Sequence, residues 1–138
     1  KQEDAIMQYQ SSLGREGLVD LALQQYFANV DKKDLDAVLD CFHDNAMITV
    51  QTAFTVHAGK ENIRRMFVDF MGAWETIVHH DFTCTVDETN GRITACFTAE
   101  LTDNDGNTTV LHNTNFWRIR ENKFQEVYIY MSGENPLT

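Results

Sequence analysis

Proline is almost absent from this chain: Pro136 is the only one, and it lies close to the end of the sequence. With no Ser/Gly-rich linker, low-complexity tract or internal repeat ahead of it, nothing divides the sequence into separate units. Cysteine is sparse as well. Cys41, Cys84 and Cys96 form no CxxC pair and leave one over, which argues against a disulfide framework or a zinc-ribbon spacing. They read as small apolar packers in a reducing compartment, so the expected location is cytoplasmic. Cations are few: 11 Lys and Arg stand against 21 Asp and Glu, for a formal net charge of -10. Such a field repels phosphate backbones and anionic lipid, which excludes nucleic acid and membrane surfaces as expected partners. No apolar run approaches the ~18 residues of a spanning helix. The opening KQEDAIMQYQ carries no basic segment followed by an apolar one, so no signal peptide is read there.

What remains is an ordinary globular composition, 43% hydrophobic, on 138 residues, enough for one domain with one core. Lys1 to Leu13 is only loosely periodic and reads as a tail or frayed helix; residues 14–138 read as a single domain. Two halves differ in period. GLVDLALQQYFANV, from Gly17 to Val30, places Leu18, Leu21, Ala22, Gln25, Tyr26 and Asn29 on one helical stripe, with Leu23, Phe27 and Val30 widening the apolar side. Asp34 caps a short helix, DLDAVLDCF, and NAMITVQ is a short strand. Gly59 to Trp74 reads as a third helix burying Ile63, Phe67, Phe70, Met71 and Trp74. After Glu75 the period becomes two. Strands are expected over Ile77–Glu88, Arg92–Thr102, Thr108–Arg120 and Lys123–Met131, divided by the turn signals ETNG, DNDGN and REN. The fold class is therefore α+β: three helices packed on a strongly curved antiparallel sheet.

The tandem histidines in TIVHHDFTC pose the functional question. A two-residue turn at Asn90-Gly91 would set Thr89 opposite Arg92, so that Cys84 faces Phe97, Phe82 faces Ala99 and His80 faces Leu101. On that register His80 lies on the apolar face, while His79 shares the opposite face with Thr98 and Glu100. Neighbouring strand residues point opposite ways, so the pair cannot chelate one metal, and no metal site is expected. His80 becomes the candidate proton carrier, since imidazole titrates near neutrality. In LHNTNFWRIR, Asn113, Asn115 and Trp117 share a phase with Leu111. A five-residue DNDGN loop puts that face with Phe97 and Ala99; a two-residue Asp-Gly turn puts His112 there instead.

LALQQYFANVDKKDLDAVLDCFHDNAMI, HAGKENIRRMF and HNTNFWRIRENKFQEVYIYM together resemble the nuclear transport factor 2-like superfamily, in its SnoaL-like and ketosteroid isomerase-like branch, over about Leu18 to Met131. The resemblance implies a cone: a bent sheet closed by helices around an apolar cavity, commonly paired as a homodimer. It implies a pocket phenol at Tyr26 and an oxygen-binding group at Asn115, both able to donate to a developing oxyanion. The isomerase's general-base position falls on Val50, which cannot take a proton, so that route is not expected. Dehydratase-like relatives keep a histidine matching His80, or His79 should a bulge shift the phase, and an asparagine matching Asn113 or Asn115. Asn113, Asn115 and Trp117 are then expected to face the cavity. The position where many members carry an acid is Ile129, so the cavity end would be apolar at Val127, Ile129 and Met131.

The expected site is thus His80, Tyr26 and Asn115 as catalytic groups, lined by Asn113, Trp117, Phe67, Phe82, Val50, Ile129 and Met131. Such a site fits a cofactor-independent isomerase, dehydratase or cyclase acting on a small apolar carbonyl or hydroxy compound. The alternative is a non-catalytic ligand-binding or dimerisation module of the same fold, pairing through an outer face of Thr94, Thr98, Thr114, Phe116, Tyr128 and Tyr130.

Overall fold

Asp34 caps the second helix as its type leads one to expect: its carboxylate accepts the Ala37 backbone N–H at 3.2 Å. The computed structural model describes residues 11–138; the expected tail falls, for residues 1–10, outside the described residues. The first helix runs without a break from α1 (Arg15–Asp20) through a π-helical stretch (Leu21–Phe27) into α2 (Ala28–Lys32). Beyond it come α3 (Leu35–Leu39), β1 (Phe42–Val50), a 3₁₀ turn (Gln51–Ala53), β2 (Thr55–Ala58) and α4 (Lys60–Ala73). The meander is β3 (Thr76–Asp87), β4 (Arg92–Thr102), β5 (Thr108–Arg120) and β6 (Lys123–Tyr130). Among the described residues no helix is long and apolar enough to cross a membrane.

The six strands form one open sheet in the order β2-β1-β6-β5-β4-β3. All neighbours are antiparallel except β1 and β6, which pair in parallel. The short strand β2 was not legible; it pairs with β1 from Thr55 to Ala58 and forms one edge. Inward side chains of β4, β5 and β6 (Ile93, Phe97, Leu111, Trp117, Ile119, Phe124 and Val127 among them) meet Leu18, Tyr26 and Phe27 from the first helix and Ile63, Met66 and Phe67 from α4. A π turn adds a residue to its helical turn and so rotates the rest of the helix about its axis. Gln25, expected on the buried stripe, is therefore exposed and bonds Asp20, while Phe27 and Val30 turn inward beside Tyr26.

Two turns decide the sheet's register. Of the two alternatives for DNDGN, the five-residue loop is the one that forms, with Thr102 opposite Thr108. Its anchor is Asp103, whose carboxylate accepts the backbone N–H groups of Asp105 and Asn107, both at 2.9 Å. Those bonds to the charged form hold its carboxyl below the usual carboxylate range. Phe97 then faces Asn113, and Ala95 faces Asn115. At Asn90-Gly91 the expected two-residue turn does not form. Asp87 pairs directly with Arg92 and its carboxylate takes Asn90's backbone and side-chain N–H groups, leaving a four-residue loop with Gly91 at φ 62°. Cys84 consequently faces Ala95 rather than Phe97, which keeps the parity of the faces but slides them by one pair. Of the cysteines only Cys41 is a core packer; Cys84 is half-buried and Cys96 exposed, which corrects the common reading of all three.

Candidate functional site

A bulge in β3 reverses the assignment of the tandem histidines. Thr83 pairs with Cys96 and His80 with Thr98, so Asp81 and Phe82 together oppose Phe97. Asp81 takes up the extra residue in the left-handed region, at φ 63°. On the C-terminal side of the bulge Phe82, Cys84 and Val86 lean inward; on its N-terminal side the inward residues are His79 and Ile77. The two rings do point opposite ways, but it is His79 that shares a face with Ala99 and Leu101. His80 stands on the outer face, its side chain 46% exposed, and its Nε2 meets Glu100 at 2.5 Å.

His79 is held by an acid that the sequence reading passed over. Asp31, at the end of the first helix, accepts the His79 backbone N–H at 2.8 Å with one oxygen and its Nδ1–H at 2.6 Å with the other. An ionised carboxylate only accepts, so the ring proton sits on Nδ1 and Nε2 is the free lone pair. The His79 side chain is 9% exposed and packs against Phe27 (centroids 4.5 Å apart) and Phe97 (5.5 Å). This dyad therefore presents a fixed tautomer in an apolar frame.

The dyad opens on a cavity of about 30 Å³ between the first helix, α4 and the sheet. That space holds on the order of two waters. Tyr26, Asn113 and Asn115 line it with His79, among apolar walls that include Phe27, Phe67, Phe70, Phe97, Ile129 and Met131. Tyr26 is fixed by rings on several sides, with Phe27, Phe42, Phe67, Trp117 and Phe124 at centroid distances of 4.8 to 6.1 Å. Burial, with the nearby Cys41 and Asp31 groups adding to it, pushes its phenol far above the ordinary tyrosine range, so it remains a donor. Asn115 is 2% exposed and its Oδ1 has no hydrogen-bond partner among the described residues. Asn113 is tied by one long bond, from the Ser132 N–H to its Oδ1 at 3.4 Å.

Several expected lining residues lie elsewhere. Trp117 is buried behind the cavity, stacked on Phe124, because its strand continues past the cavity into the base of the core. Phe82, at the bulge, packs on Phe27 and Phe97 outside the lining. Val50 and Val127 are wholly buried in the sheet and likewise do not reach the cavity. Two residues not expected at all, Pro136 and Leu137, close it from the segment after β6.

The comparisons with known proteins point one way. A family profile described as a SnoaL-like domain matches residues 23–127. A structure named as a candidate aromatic ring hydroxylase from Novosphingobium aromaticivorans aligns with a TM-score of 0.73 at 21% identity, covering 89% of this chain and 94% of that one. A candidate polyketide cyclase from Xanthomonas campestris gives 0.74 at 18% identity, covering 84% and 90%. SalBIII, described as an epoxide hydrolase/cyclase-like enzyme in pyran ring formation in polyether salinomycin, gives 0.75 at 16%, covering 85% and 92%. At these identities the likeness is one of fold, the cone of the nuclear transport factor 2-like superfamily. No curated protein matches the sequence significantly.

Proposed function

The chain belongs to the SnoaL-like family, and we propose that its cavity carries out a proton transfer on a small, largely apolar carbonyl compound. The observation that carries this reading is the Asp31–His79 dyad facing the same small hollow as the Tyr26 phenol and the Asn115 carboxamide. Nε2 of His79 takes a proton from the carbon beside the carbonyl, and the charge moves onto oxygen. Tyr26 donates to that oxygen, in surroundings dry enough to strengthen the contact. Asp31 stabilises the imidazolium. The imidazolium, which exchanges its proton with solvent, then gives a proton back, either to carbon, which is exchange or isomerisation, or to a β-hydroxyl that leaves as water, which is dehydration. Both outcomes are redox-neutral, the second breaking the carbon–oxygen bond as the double bond forms, so no co-reactant is consumed. The unpartnered Oδ1 of Asn115 favours the second outcome, because a buried acceptor gains most from a guest that brings a hydroxyl.

Solvent exchange tests the chemistry without knowledge of the natural substrate. Cyclic ketones and their β-hydroxy derivatives are incubated with the protein in D₂O and followed by proton NMR for exchange beside the carbonyl and for loss of water. The wild type should exchange at least one of them. His79→Ala should slow this by about 10²–10⁴-fold, the usual weight of a positioned base. His80→Ala should leave it nearly intact. Equal losses in the two variants would refute the assignment, and guest binding without exchange would make the domain a binding module.

A further inference from the structure

A hollow of about 30 Å³ is too small for any ring compound, so a wall must move, and the walls differ in how they are held. Helices and strands are fixed by their own main-chain bonds. The segment from Ser132 to Thr138 has no regular structure and is tied down at a few points. Ser132 Oγ accepts the His112 N–H at 2.8 Å, and Asn135 donates to Thr55 Oγ1 at 3.3 Å. At the far end the buried His57 donates through Nε2 to the Leu137 carbonyl at 2.8 Å, and Arg65 donates to the Thr138 carbonyl at 3.1 Å. Arg65 Nη2 also lies 3.2 Å from His57 Nδ1, so one guanidinium braces both anchors. On the outer side of this strap lies a second hollow of about 230 Å³, lined by Trp74 and Glu134 and sharing Leu101, Leu111 and Pro136 with the inner one.

We propose that Ser132–Thr138 is a partition that lifts, joining the two hollows into one ligand site whose outer, apolar half lies against Trp74, Leu101 and Leu111. The joint space approaches the ~300 Å³ at which small-molecule sites begin. Its volume and lining suit a mostly apolar guest of one or two fused rings, with a polar edge toward His79 and Asn115 and its far end under the strap. Gly133 is where the strap lies closest to the Leu111 side chain. A Cβ there would lie 2.5 Å from Leu111 Cδ2, so any larger residue makes the strap and the Leu111 side chain give way to each other. The inference rests on reading the cavity as a ligand site, and it is independent of the chemistry done there.

The test reads binding with 2-naphthol, a neutral two-ring fluorophore with one hydroxyl, by stopped-flow fluorescence on the whole chain. In the wild type the observed rate should level off with probe concentration, at the opening rate of the strap. Arg65→Ala, at a half-exposed side chain, and Gly133→Ala should each raise that plateau about fivefold or more, the effect of losing one hydrogen bond's worth of closure. Leu137→Ala should raise it as well. His80→Ala, on the outer face, should keep the wild-type plateau, and because the plateau is read without any exchange chemistry, loss of exchange and failure of the gate are told apart. Amide protection across β5, unchanged in every variant, would show that the fold is intact. A rate that rises linearly and identically in the wild type and the three strap variants, or no binding even in Leu137→Ala, would overturn the proposal.

Discussion

Asp31→Asn isolates the dyad. Asparagine has the shape of aspartate but exchanges one acceptor oxygen for a donor. Two donors now meet that carboxylate, the His79 backbone N–H and Nδ1–H. With the amide oxygen accepting the backbone N–H, the NH₂ group faces Nδ1 and must find a lone pair there. The ring proton therefore moves to Nε2, the nitrogen turned to the cavity, and the base becomes a donor. The loss of one charge-assisted bond at a partly exposed acid costs about 1–2 kcal/mol. For a domain of this size that lowers Tm by about 3–8 °C.

The change is read directly by ¹⁵N–¹H long-range NMR at pH ~9, above the ordinary imidazole range. The wild type should show His79 as the Nδ1–H form and the variant as the Nε2–H form, with the other histidines unmoved. The comparable exchange in the serine-protease triad costs about 10⁴ in kcat through the same wrong tautomer. A fall of about 10²–10⁴ in proton exchange is expected here, with guest binding kept. If His79 is the Nε2–H form in the wild type, or keeps its tautomer in the variant, Asp31 does not set the base and the proposed mechanism fails.

Tyr26→Phe keeps the ring contacts and removes only the hydroxyl, so Tm should stay within a few degrees while exchange falls; a large drop in Tm would mean that the hydroxyl is structural. Because the folded phenol ionises later than the unfolded one, the wild type should also lose stability as pH rises above the ordinary value of ~10, a loss smaller in Tyr26→Phe and measurable by urea unfolding at pH ~9 and ~11. At Asp81, held at φ 63°, glycine should stabilise by about 0.5–1 kcal/mol and valine destabilise by about 1–2, with equal unfolding midpoints refuting the bulge. Phe116 and Tyr130, each 43% exposed, pack edge-on at 5.7 Å on the outer face, which we propose seats a second copy of the chain. Phe116→Glu should convert a dimer to a monomer in light scattering, and a wild type that is monomeric at micromolar concentration would reject that face as an interface.

The elements were legible because apolar spacing and capping residues are local. The change from a 3.6 to a 2.0 period near Glu75 and the Asp34 cap each involve neighbours within a few residues. Turn chemistry left the placing of Asn113 and Asn115 open, and the family resemblance chose the face that the Asp103-anchored loop then sets. The tandem histidines were not legible, because a bulge at a non-glycine residue carries little sequence signature. Asp87 likewise outcompeted the Asn90-Gly91 turn through a side-chain bond that turn statistics average away. Asp31 lies in VDKKD, a charge run that reads as a solvated helix end, and its partner lies 48 residues further on. A cue was available: such an end approaching a sheet edge can offer its acid to an unpaired strand N–H.

Two irregularities make that meeting possible. The π turn in the first helix places Tyr26, Phe27 and Val30 against the sheet, with Asp31 directly after them. The bulge at Asp81 and Phe82 inverts the far end of β3, so that His79 and not His80 turns inward at the edge that Asp31 reaches. A regular helix would set Asp31 at another angle, and a regular strand would send His79 to the outer face with Thr98. Each deviation costs local stability. Both are offset at one contact, where a single carboxylate satisfies an edge N–H and orients the ring beside it. That economy ties the architecture to the chemistry, because the bond that seals the sheet's edge is also the one that selects the base.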